Sequence, residues 1–101
     1  MDELGDVGTK LLYENEKVRI WEIDLQPGEE TAMHHHELDY GVMVIEGDRV
    51  AGVPKEGSGG RLIEADVERG KMFGVLARGG TERAVNIGKQ RFYEIQIELK
   101  G

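Results

Sequence analysis

The sequence predicts an all-β domain, and three observations support this prediction. Fifteen of the 101 residues are glycine, which suits a chain that reverses direction often. Turn signals such as Pro27-Gly28 and Gly47-Asp48 recur at short intervals. Between them lie short segments in which apolar and polar residues alternate with a period of two, as in the strands of a sandwich or barrel. No segment carries an apolar stripe over three helical turns, so helices have little support.

The predicted strands follow one another along the whole chain. Residues 11–13 are predicted to form an N-terminal strand or arm. The later strands are predicted at 18–25, 41–45, 49–53, 61–67, 72–77, 83–87 and 92–99. The last is the clearest, because Tyr93, Ile95, Ile97 and Leu99 occupy one face while Phe92, Glu94, Gln96 and Glu98 occupy the other. Gly74 interrupts an apolar run and predicts a bulge or a close approach of two backbones.

The length of the chain corresponds to one domain, which we place at residues 1–101. Residues 1–17 are assigned to an N-terminal arm or strand and residues 18–99 to the barrel. Only 39% of the residues are hydrophobic, so core material is limited. A closed sheet with one compact interior is one solution, and a homodimer that adds a second apolar interface is another. We therefore expect a homodimer.

The composition excludes several classes of function. The net charge of −7 repels phosphate backbones, so nucleic-acid binding is not expected. The absence of cysteine excludes disulfides, thiolate metal sites and a cysteine nucleophile. No apolar run approaches the ~20 residues that span a bilayer, and the acidic start of the sequence does not resemble a secretory signal. We expect a cytoplasmic protein without membrane contact.

The three histidines are consecutive, at His34, His35 and His36. On a strand, His34 and His36 face one side and His35 the other, with the first two about 7 Å apart along the strand. Two neutral imidazoles on one face can chelate Zn, Fe, Ni, Cu or Mn. The alternative is a solvated strand end or loop. The flanking Pro-Gly turn and apolar strand favour a position at the mouth of a core-facing strand.

Two segments resemble the conserved motifs of the cupin superfamily. In the first motif, G-x5-H-x-H-x3,4-E-x6-G, the spacing is matched by Gly28, His34, His36, Tyr40 and Gly47, with Tyr40 in place of the usual glutamate. The second motif, G-x5-P-x-G-x2-H-x3-N, is matched more loosely over residues 70–86. It lacks the proline, its hairpin is about one residue longer, and, with its asparagine at 86, its histidine position is occupied by Glu82. Residues 18–99 resemble small single-domain members grouped near the beta-alanine degradation protein of pseudomonads.

This resemblance implies a jelly-roll β-barrel and a divalent metal ion. Cupins commonly hold their metal with three histidines and one glutamate. Carried over position by position, His34, His36 and Glu82 remain, a set that suits Fe, Mn, Ni or Zn. Glu82 could instead be a solvated hairpin residue paired with Arg78 or Arg83. Tyr40 is a candidate catalytic residue that offers its hydroxyl to a substrate or a bound water, or it fills the space left by the missing glutamate.

Three functional hypotheses follow from these residues. The first is a metal-dependent enzyme that acts on a small polar molecule by dioxygenase, isomerase or lyase chemistry. The second is a non-catalytic module that binds a small-molecule ligand. The third is a structural dimer without a ligand, whose interior would be filled by side chains. Large apolar residues that could form either a pocket wall or plain core are Trp21, Met43, Met72, Phe73 and Phe92.

Overall fold

Nine strands and no helix are present in residues 4–101, the part of the chain that the computed structural model describes. The strands are β1 (Lys10–Glu14), β2 (Val18–Leu25), β3 (His34–His35), β4 (Asp39–Glu46), β5 (Arg49–Pro54), β6 (Ile63–Asp66), β7 (Met72–Leu76), β8 (Thr81–Asn86) and β9 (Phe92–Leu99). The predicted bounds of the second and last strands agree with those observed. The all-β prediction is therefore confirmed.

The strands pair antiparallel in two sheets rather than in one continuous hydrogen-bonded barrel. The larger sheet has the order β1-β2-β9-β4-β7 and the smaller has the order β3-β8-β5-β6. Sequence neighbours are thus often separated in space, since β9 lies between β2 and β4. This arrangement brings the histidine segment of the smaller sheet together with β4 and β9 of the larger one.

Two glycines show why the chain uses this residue so often. Gly47 has a φ of 140°, and a Cβ there would lie 2.8 Å from Cδ1 of Phe92. Gly74 has a φ of 60° and lies in β7, where two residues oppose the single residue Val42 of β4. The bulge predicted at Gly74 is confirmed.

The apolar core occupies only part of the interior. It is a cluster of five buried residues, Ile23, Leu25, Val44, Val67 and Phe92. On β9 the buried residues are Phe92, Glu94, Gln96 and Glu98, so the polar face of this strand points inward and its apolar face outward. Met43 and Met72 are exposed, which corrects their assignment to a core or a pocket wall.

No helix suited to crossing a membrane occurs among the residues that the structure describes.

Candidate metal centre

The site is formed by the segment that includes β3, together with β8. His34 pairs in register with Glu82, so the two side chains lie on the same face of the smaller sheet, the face that points into the domain. His36 follows one residue after β3 and is buried, whereas His35 between them is exposed and contacts Thr81. The potential ligand atoms of His34, His36 and Glu82 all lie within 4.8 Å of one another. The rings of His34 and His36 therefore lie on one side of the segment and His35 on the other, as the alternation along a strand predicts.

The ring of His34 is held in a defined orientation and tautomer. Its Nδ1 lies 2.8 Å from the carbonyl oxygen of Ala32, which can only accept a hydrogen bond, so Nδ1 carries the proton and Nε2 has a free lone pair. Burial lowers the pKa of His34 below its ordinary value, although the carbonyl contact opposes this shift. The ring is therefore neutral near pH 7, as a metal ligand must be.

Glu82 turns toward the histidines and not toward the two arginines that were alternative partners. Its Oε1 lies 3.2 Å from Nε2 of His36. Arg78 instead pairs with Asp39, and Arg83 pairs with Glu30. Gly52 on the neighbouring strand β5 leaves room for the carboxylate, since a Cβ at that position would lie 2.9 Å from Oε2 of Glu82.

Tyr40 is buried and stacks on His36. The ring centroids are 4.0 Å apart, with an angle of 11° between the ring planes. The ring of His34 meets His36 edge-on, with centroids 4.8 Å apart. Burial, with a smaller effect of the carboxylates of Glu82 and Glu94, raises the pKa of Tyr40 above its usual value. Tyr40 therefore keeps its proton at neutral pH and can act as a hydrogen-bond donor.

These residues fit a divalent cation. Two imidazoles and one carboxylate match the two-histidine, one-carboxylate donor set of metal sites that keep open positions. The Nδ1 atom of His36 is buried without a hydrogen-bond partner among residues 4–101, so nothing described there fixes a proton on it. Nε2 of His36 lies 3.2 Å from Oε1 of Glu82, so these two atoms could both contact one cation.

A cavity of about 370 Å³ adjoins two of the three potential ligands, His34 and Glu82. His34, Tyr40 and Glu82 line it, together with apolar side chains that include Phe73. Phe73 is thus the one residue among the wall candidates that lines this cavity, whereas Phe92 belongs to the core cluster and the indole of Trp21 donates a hydrogen bond to Glu98. The cavity places open space next to the potential ligands, as a small-molecule site requires.

Glu94 and Gln96 of β9 also line this cavity, and the sequence did not single them out. Their alternation with Ile95 and Ile97 separates two faces but does not say which face is inside. A signal was available in Phe92, because a large aromatic residue on the same face as the glutamates is a poor candidate for exposure. The only sequence signal for Gly52 was the presence of a glycine inside a predicted strand.

No model of a known protein family matches this sequence, and no curated protein matches it either. Solved structures do. A cupin domain from Bordetella pertussis Tohama I is 26% identical, with a TM-score of 0.78 over 100% of this chain and 99% of that one. This chain belongs to the cupin superfamily. An RmlC-like cupin from Methanocaldococcus jannaschii with a double-stranded β-helix fold has a TM-score of 0.71 at 16% identity, covering 89% of this chain and 76% of that chain.

An enzyme also occurs among the similar structures. An oxalate oxidase in complex with glycolate is 26% identical, with a TM-score of 0.60 over 83% of this chain and 43% of that chain. The predicted jelly-roll cupin fold is confirmed by these likenesses. Within it, this cupin departs from the common motif at Tyr40 and Glu82, so its site contains one carboxylate and two histidines where the motif provides three histidines and a glutamate.

Proposed function

We propose that this cupin binds a divalent metal ion, Fe, Mn, Ni or Zn, through His34, His36 and Glu82 and acts as an enzyme on a small polar molecule in the adjoining cavity. The observation that carries the proposal is the convergence of the three ligand atoms within 4.8 Å beside a cavity of about 370 Å³. When bound, such an ion supplies Lewis acidity and open positions for water, dioxygen or substrate, which suits dioxygenase, isomerase or lyase chemistry.

The side chains around the ligands would orient the substrate and move its protons. Tyr40 can donate its hydroxyl hydrogen to a substrate oxygen, because burial keeps this residue protonated. The stacking of Tyr40 on His36 also fixes the plane of that imidazole. The apolar wall that includes Phe73 limits access of water to one side of the ligand.

Two other hypotheses make different predictions. A structural dimer without a ligand requires a filled interior, whereas this interior contains a cavity with polar side chains. A non-catalytic binding protein is compatible with the cavity. It differs from the proposed enzyme because replacing His34 and His36 by alanine would leave its affinity for the ligand intact.

The test is metal content, measured by inductively coupled plasma mass spectrometry on protein without a histidine tag. After incubation with Fe, Mn, Ni or Zn and desalting, we expect about one ion per chain for the best-bound metal. The variants His34→Ala, His36→Ala and Glu82→Ala are expected to retain less than about 0.1 ion. The matched control is His35→Ala, since His35 faces away from the site and should not be needed.

A wild-type content below about 0.1 ion per chain with all four metals contradicts the proposal. So does loss of metal in His35→Ala alone, since this would assign the metal to the exposed histidine run.

We also propose that the chain forms a homodimer in the cytoplasm, without contact with nucleic acid or membrane. The outer face of the larger sheet supports the dimer. Because β4 pairs with β7 on one side and with β9 on the other, its outward face continues across these three strands. The exposed apolar residues on this face include Met43, Met72, Val75, Ile97 and Leu99. Light scattering coupled to size exclusion should give the mass of two chains, and Ile97→Lys should give that of one.

A further inference from the structure

Two further polar side chains line the cavity in addition to the potential metal ligands, and they are hydrogen-bonded to each other. Glu94 and Gln96 are 6% and 5% exposed and both line the cavity. Nε2 of Gln96 donates a hydrogen bond to Oε1 of Glu94 at 3.1 Å. The Oε1 atom of Gln96 is buried and has no partner among the residues that the structure describes.

The strands on either side of Glu94 place apolar residues next to it. On the inner face of the larger sheet, Glu94 lies in register between Ile23 of β2 and Val44 of β4, both fully buried. Among residues 4–101, no lysine or arginine lines the cavity. Burial therefore raises the pKa of Glu94 to about 7, with the nearby carboxylate of Glu82 adding to the effect and the hydrogen bond from Gln96 opposing it.

The oxygens of Glu94 and Gln96 can therefore accept more hydrogen bonds than the described residues around them donate. A buried acceptor without a donor costs free energy, and a ligand that donates a hydrogen bond recovers that cost. A carboxylate in the same place would bring a third negative group near Glu82 and Glu94 and would have no hydrogen to donate. The rest of the wall, which includes Val42, Ala65 and Ala84, is apolar and suits a short hydrocarbon body.

We infer that Glu94 and Gln96 determine specificity in this cavity, by selecting small ligands that donate hydrogen bonds from an amino or hydroxyl group over ligands that present a carboxylate to the pair. The inference rests on the proposed function to the extent that the ligand occupies the same cavity. It deepens that proposal by assigning the class of substrate.

The test compares three probes that share one hydrocarbon body: butylamine, 1-butanol and butyrate. Their dissociation constants are measured at pH 8 from methyl shifts of Val42, Ala65 and Ala84 in carbon–proton NMR spectra, with protein in EDTA and again with Zn²⁺. A carboxylate can gain affinity from the zinc itself, so the decisive quantity is the ratio of the butyrate constant to the butylamine constant. Glu94→Gln, which keeps the shape and removes the charge, should lower this ratio about tenfold in both states.

Two further variants separate local recognition from general effects. Glu64→Gln removes the same charge from an exposed position of β6 and should leave the ratio unchanged. Gln96→Met removes the unpartnered acceptor and should weaken 1-butanol about threefold or more. An unchanged ratio in Glu94→Gln, or an equal change in Glu64→Gln, overturns the inference.

The outcome also separates this inference from the proposed function. If the protein takes up no zinc but Glu94→Gln lowers the ratio in EDTA, metal binding fails and the specificity assignment stands. If zinc binds through the three ligands and the ratio does not respond, the assignment fails and metal binding stands.

Discussion

The interior of this cupin has two parts that share strands but differ in chemistry. Along β9, Phe92 belongs to the apolar cluster, whereas Glu94, Gln96 and Glu98 follow it on the same face toward the histidines. All four are nearly fully buried. The apolar part gains free energy from burial, while in the polar part each side chain must find a partner or lower the stability. We therefore expect the apolar part to supply stability and the polar part to supply the proposed binding.

Phe92→Ala should have the largest effect, because it removes the fully buried aromatic residue of the apolar cluster. We expect a loss of about 3–5 kcal/mol in the free energy of unfolding, measured by urea denaturation. Phe73→Ala is the control, since Phe73 is only partly buried at the cavity wall and should cost less. Equal losses in the two variants would contradict the division of the interior.

Glu94→Gln should stabilise the metal-free protein at high pH. Burial in the native state raises the pKa of Glu94 from 4.5 to about 7. With respect to this group, the wild type is therefore most stable below pH 4.5 and loses stability as the pH rises through 7. At pH 8 the buried charge costs about 3 kcal/mol, which the neutral amide avoids, and near pH 4.5 the two proteins should be alike. Denaturation in EDTA across this pH range measures the difference.

The exposed substitution Glu64→Gln should change stability by less than about 0.5 kcal/mol at any of these pH values. A pH-independent difference between wild type and Glu94→Gln would show that packing, and not protonation, separates the two.

Trp21→Phe tests Glu98, a carboxylate of the polar part that has two hydrogen-bond donors. Glu98 is 1% exposed and accepts hydrogen bonds at Oε1 from Nε1 of Trp21 and, at 2.8 Å, from Nε of Arg19. Phenylalanine keeps the aromatic ring and removes the indole donor, at an expected cost of about 2 kcal/mol in unfolding free energy. Combining it with Glu98→Gln should cost less than the sum of the two single changes, and strict additivity would mean that the two residues do not interact.

The sequence predicted the fold better than the interior. Alternation and turns located the strands, and the spacing of His34 and His36 placed two imidazoles on one side, because both signals are local. The direction of Glu94 could not be read in this way, since alternation defines two faces and only pairing with Ile23 and Val44 decides which is inside. The partner of Glu82 likewise depends on contacts between residues 46 positions apart.

Gly52→Ala is expected to change metal affinity with little change in stability. The added Cβ would lie 2.9 Å from Oε2 of Glu82, the end of a flexible side chain, so the carboxylate can move away at small cost to folding. Moving it shifts one of the three potential ligand atoms, and we expect zinc affinity, measured by competition with a chelator, to fall about tenfold.

The control is Gly41→Ala on the outer face of β4, where the nearest described atom to a Cβ is the carbonyl oxygen of Gly74 at 3.4 Å. This variant should bind zinc like the wild type. If Gly52→Ala also bound zinc with unchanged affinity, the carboxylate of Glu82 would not belong to the metal site. The polar part of the interior would then hold an ion by its two histidines alone, which predicts equal affinity in wild type and Glu82→Gln.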